Sequence, residues 1–111
     1  MRIEPCHIEG LFILEPQVFG DARGYFFESY SQKVFQQQDW SYQWVQDNQS
    51  SSVHGVIRGL HFQAPPYAQA KLVRVLRGAI LDVAVDIRKE SPTYGKHVAV
   101  ELSSDNKLQL L

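Results

Sequence analysis

Lys71-Leu-Val-Arg-Val-Leu-Arg-Gly78-Ala-Ile-Leu-Asp-Val-Ala-Val-Asp-Ile87 is the stretch on which the fold class turns. Two runs, Lys71 to Leu76 and Ala79 to Ile87, flank the turn signal Arg77-Gly78. Successive strand side chains point to opposite sides of a sheet. Leu81, Val83, Val85 and Ile87 therefore share one face of the second run, and Asp82, Ala84 and Asp86 share the other. The pattern predicts a β-hairpin. The two aspartates either line a cavity or form the polar side of a strand; the pattern leaves both open.

The same alternation extends outward. His97 to Leu102 places Val98, Val100 and Leu102 on one face. Short strand signals lie at Gly10–Leu14 before Pro16, at Gly24–Glu28 after the turn Gly20-Asp21, and at Gln43–Asp47 before the polar loop 48–52. Val56 to Gln63 reads as a further strand that ends at Pro65-Pro66. Ser31 to Gln38 is the helix candidate, opened by a serine cap. Ser103 to Asn106 reads as a hairpin turn, after which Lys107 to Leu111 begins another strand. Many short strands with regular turns predict an all-β sandwich or barrel, a single domain over residues 1–111. Leu108 to Leu111 starts a strand without supplying its next neighbour, so the expectation is completion by a second chain or a longer sequence.

The chain has 111 residues, 44% of them hydrophobic, enough for a modest core. It has no apolar run near the roughly 20 residues of a membrane-spanning helix. Met1-Arg2-Ile3-Glu4-Pro5 lacks the apolar stretch of a secretory signal. One cysteine, Cys6, cannot form an internal disulfide, and a cytoplasmic location is expected. Eleven basic and twelve acidic residues give a net charge of −1, without the basic stripe that nucleic acid demands. A small anion remains a fitting ligand, because two or three placed arginines suffice for one.

Candidate chemistry concentrates between Gly55 and Gly78. His61 offers a base of the residue type whose unperturbed pKa lies nearest neutral pH. Arg58 offers a fork for an anion, and Lys71 a second cation. Alternation would put Arg58 and His61 on opposite faces, unless Gly59 marks a bulge. His7, His54 and His97 read as surface or hydrogen-bonded residues.

Taken in order, Asp21-Ala-Arg23-Gly24, Glu28, Gln46-Asp47-Asn48, Arg58-Gly-Leu-His61-Phe-Gln63, Lys71 to Gly78, Asp82 to Asp86 and Ser91-Pro-Thr-Tyr-Gly95 resemble the nucleotide-sugar 3,5-epimerases. The resemblance runs from about Gly10 to the last residue. It implies a cupin-type jelly roll and a dTDP-4-dehydro-6-deoxyglucose substrate epimerised at C3 and C5. It implies His61 as base, Lys71 as stabiliser of the enolate, and Arg23, Glu28, Gln46, Asp47, Asn48 and Arg58 as nucleotide contacts. A homodimer is implied too, with the positions of Arg23 and Glu28 reaching across subunits.

No cofactor is expected. The wider cupin metal motif survives only in part, with Gly55, His61 and Gly78 in place but Gln63 and Lys71 where histidine and glutamate ligands would stand. A lysine ammonium repels a divalent cation. The family continues beyond this point into a Pro-x-Gly-x-Ala-His-Gly-Phe motif, an opposing tyrosine acid and a histidine-orienting aspartate. On this resemblance the chain is an N-terminal portion, expected to be poorly active by itself. Two other readings are a 3-epimerase or 3,4-ketoisomerase on a related dTDP-4-keto sugar, and a non-catalytic nucleotide-sugar-binding cupin.

Overall fold

The structure is a computed structural model describing residues 1–111. Its contacts divide it into two units: Met1–Tyr30 with Lys71–Leu111, and Ser31–Ala70.

The first unit holds every strand. β1 (Arg2–Pro5), β2 (Phe12–Glu15), β8 (Gln109–Leu110) and β5 (Val73–Arg74) form one antiparallel sheet in that order. β3 (Val18–Asp21) and β4 (Gly24–Phe27) form a hairpin. β6 (Ala79–Val85) and β7 (His97–Ser103) form a seven-residue ladder. The expected strands at 10–14, 24–28, 71–76, 79–87, 97–102 and 107–111 all have counterparts, several shorter than expected.

β1 is an addition, and β3 runs through Gly20 and Asp21, so the turn falls two residues later, on Ala22-Arg23. Gly24 has φ +135, a backbone angle that a side chain disfavours, and it lets the second strand start directly after that turn.

Register settles what alternation left open. Residues directly opposite in a ladder share a face, and Asp82 pairs with Val100, Ala84 with Val98. Val100, Leu102 and Leu110 are the buried centre, with Val73, Val75, Ala84 and Val98 packed against them. The Asp82–Ala84 side therefore faces the interior, and Leu81 on the other face is 68% exposed.

Asp86, directly after β6, sits inside a dense polar knot. Its carboxylate accepts from Arg88 Nε at 2.9 Å and Nη2 at 3.0 Å, Ser91 Oγ at 2.5 Å and Thr93 Oγ1 at 2.7 Å. These donors, Arg88 foremost, hold the carboxyl far below the ordinary aspartate range. A depressed folded value contributes stability above the unfolded value of about 3.9 and loses it as pH falls below that. Asp86→Asn is expected to lower the denaturant midpoint at pH 7, with the gap to the parent closing as pH drops below about 4. Denaturant titrations across that range measure it. A gap that stays constant with pH would refute the knot's ionic character.

The second unit contains α1 (Gln32–Gln36) and otherwise irregular chain. Ser31 sits at the cap position with extended φ and ψ, but its side chain makes no capping hydrogen bond, contrary to the expected serine cap. The helix stops through bonds from Gln38 and Trp40 amides to the Phe35 carbonyl, with Asp39 at φ +58. Buried Phe35 meets the Trp40 ring edge-on at 5.2 Å and the Trp44 ring at 6.1 Å. That aromatic group is this unit's core.

The strands expected at 43–47 and 56–63 are absent. An extended segment becomes a strand only where a neighbour exchanges hydrogen bonds with it, and neither segment is paired in this chain. No helix is long and apolar enough to cross a membrane.

Candidate functional site

In the second unit the residues singled out from the sequence fall into three local groups. Arg58 Nε donates to Ser52 Oγ at 2.9 Å, and its Nη2 donates to the Ser51 carbonyl at 3.0 Å. Two bonds to the preceding polar loop fix the guanidinium plane, and its other N–H groups stay available for an anion. Gln46 Nε2 donates to Asn48 Oδ1 at 3.2 Å, so these two amides stand together on the exposed stretch that also carries Asp47.

Gly59 separates Arg58 from His61. The expected bulge needs a strand to bulge from, and there is none; Gly59 instead adopts φ +111, which breaks the alternation by itself. A methyl group built there would stand 3.3 Å from His61 Nδ1. Gly59 thus admits the imidazole against the backbone.

Gly59→Ala is expected to displace the His61 ring and add strain of about 1–3 kcal/mol. Ring resonances of His61 and a thermal melt measure both. An unmoved ring with unchanged melting would disprove the close approach.

In the first unit, Arg23 tops the β3–β4 hairpin and is locked onto Asp21. Its backbone amide donates to Asp21 Oδ1 at 2.8 Å, its Nε to both carboxylate oxygens, and its Nη2 to Oδ2 at 2.5 Å. The bond lowers the Asp21 carboxyl and raises the Arg23 guanidinium. Arg23 also borders an open depression of about 390 Å³ with Phe19, Tyr25 and Phe26. Glu28 follows β4 directly and is exposed.

Lys71 opens the second limb of this unit, two residues before the core-packed Val73. Its charge acts on Asp82. Burial lifts the Asp82 carboxyl above its ordinary value, and the Val83 amide and Lys71 ammonium pull it back in part.

Two residues carry more than the sequence reading assigned them. Asp21 clamps Arg23, and Gln109 is 1% exposed with its Nε2 donating to the Ser29 carbonyl at 2.7 Å. A glutamine breaking the apolar run Leu108-Gln-Leu-Leu111 was the available signal. Cys6 is no activated nucleophile, since burial and then the Glu4 charge push its thiol up.

Antiparallel strands packed around Val100, Leu102 and Leu110, together with the likeness to solved structures of that fold, make this a cupin-type jelly roll. A family model described as dTDP-4-dehydrorhamnose 3,5-epimerase matches residues 5–111, and the chain belongs to that family.

The dTDP-4-dehydrorhamnose 3,5-epimerase of Shigella flexneri is 55% identical over 111 residues, covering 99% of this chain and 61% of that protein. The crystal structure of the Bacillus anthracis enzyme with TDP and PPi bound superposes with TM-score 0.94 at 48% identity, covering 99% of this chain and 63% of that one. The Legionella pneumophila enzyme in complex with dTDP-4-keto-L-rhamnose gives TM-score 0.91 at 47% identity, covering 98% and 58%. The chain spans about three fifths of the length of the curated relatives it matches.

Proposed function

We propose that this protein epimerises C3 and C5 of dTDP-4-dehydro-6-deoxyglucose, yielding dTDP-4-dehydro-L-rhamnose. The family match over residues 5–111 carries the reading. The C4 ketone acidifies the hydrogens on both neighbouring carbons, so one base and one enolate stabiliser serve two centres in turn.

His61 is that base. Lys71 faces the negative oxygen that develops on the ketone and holds it by charge and hydrogen bond. Asp82 lies within the field of that ammonium. Arg58 grips the diphosphate, and Gln46, Asp47 and Asn48 line the nucleotide. Arg23 and Glu28 complete the grip across a homodimer interface. Exposed Phe19 and Phe26 on β3–β4 support such an interface. The protein acts in the cytoplasm, where its nucleotide-sugar substrate is made, and needs no cofactor.

The test is proton NMR of the substrate incubated with the protein in deuterium oxide. Label entering both C3 and C5 is expected. Label at C3 alone would convert the reading to a 3-epimerase, and dTDP binding without any exchange would convert it to a binding module.

A further inference from the structure

Gln109 occupies a position that packing would give to leucine. β8 lies between β2 and β5, with Leu110 opposite Ile13 and Val73, and Gln109 opposite Leu14 and Arg74. Leu110 belongs to the core with Val100 and Leu102. Alternation then sends Gln109 to the other side of the sheet, where Leu14 is also fully buried.

One end of the buried amide is satisfied and the other is not. Nε2 reaches the Ser29 carbonyl at 2.7 Å, across 80 residues of sequence, while Oε1 is buried with no hydrogen-bond partner. Burying an unpaired acceptor is unfavourable, so the donor end must supply what an apolar side chain cannot. What it supplies is an anchor for the chain just beyond β4, and Ser29 is adjacent to Glu28.

We propose that Gln109 is a positioning residue: by holding the Ser29 carbonyl to the central strand of the sheet, it fixes Glu28 for its contact with the nucleotide. This rests on the assignment of Glu28 to the nucleotide grip. The anchored carboxylate enters binding with fewer conformations to lose than one on a free strand end.

Gln109→Met keeps the volume and removes the donor; Gln109→Leu removes it with a branched apolar side chain. Both are expected to weaken dTDP binding by about tenfold in calorimetry, the equivalent of one modest hydrogen bond. Turnover at saturating substrate stays unchanged. Hydrogen exchange at the amides of residues 28–30 speeds up. In a Glu28→Gln background, Gln109→Met should add little further loss, because the two act through one contact.

Parental dTDP affinity in folded Gln109→Met or Gln109→Leu overturns the proposal, as does full additivity with Glu28→Gln. A lowered melting temperature with unchanged affinity reduces Gln109 to a structural residue and also overturns it. Should the parent itself fail to bind dTDP, the nucleotide reading falls and this role with it, while the anchor still shows in the exchange at 28–30.

Discussion

His61→Ala is expected to slow deuterium exchange at C3 and C5 by on the order of 10²–10⁴-fold, while dTDP affinity stays close to the parent's. In the proposed roles the two measurements separate, because the imidazole acts on carbon-bound hydrogen and the nucleotide grip lies in other side chains. Gly59 lets the ring lie against the backbone, with space for only a glycine beside Nδ1. An alanine at 61 leaves that backbone untouched, so the fold should survive. Exchange at the parental rate in the variant would show that another group is the base. Loss of dTDP binding alongside loss of exchange would show that His61 holds the ligand and does not act on it.

Lys71→Met removes the ammonium and keeps the length of the stem. If the charge stabilises the enolate oxygen, the rate falls by about 10²–10³-fold, the effect of deleting one oxyanion donor. The loss should appear in kcat and kcat/KM alike, because the interaction strengthens only as the oxygen becomes negative. Asp82 adds a second readout. Without Lys71, burial is left with less to oppose it, so the Asp82 carboxyl should titrate higher still. Carboxyl-carbon NMR would detect that rise. An unmoved Asp82 would separate the two residues, and a KM effect alone would make Lys71 a binding contact.

The parts of the fold that the sequence reveals are those encoded by local alternation. Ala79–Val85 and His97–Ser103 read correctly because seven-residue ladders repeat the period often enough to be unmistakable. Which face points inward was not legible from β6 alone. Leu81 and Val83 look like the core side, yet pairing with Val100 and Val98 turns Asp82 and Ala84 inward. Only the partner strand carries that information.

The errors at 43–47 and 56–63 have the same origin. Their residue types suit strands, but strand formation depends on a neighbour that no local pattern specifies. β1 and β3 were hidden by Pro5 and Gly20, residues that usually punctuate strands but here lie within them.

The candidate site was legible as an ordered series of motifs and much less so as geometry. His61, Arg58 and Lys71 stand out by type and spacing. The seat of Arg58 on Ser51 and Ser52, the clamp of Asp21 on Arg23 and the reach of Gln109 to Ser29 do not. The last joins residues 80 positions apart, so only folding brings them together.

The side chain of Arg23 stands 89% in solvent at the end of a two-residue turn, where a long cation would ordinarily wander among many rotamers. Tethered through Nε and one terminal nitrogen, it has a single free edge, directed by its neighbour's carboxylate. Whatever oxyanion arrives finds that edge already aimed. Part of its positive charge is already offset, a trade of raw attraction for readiness.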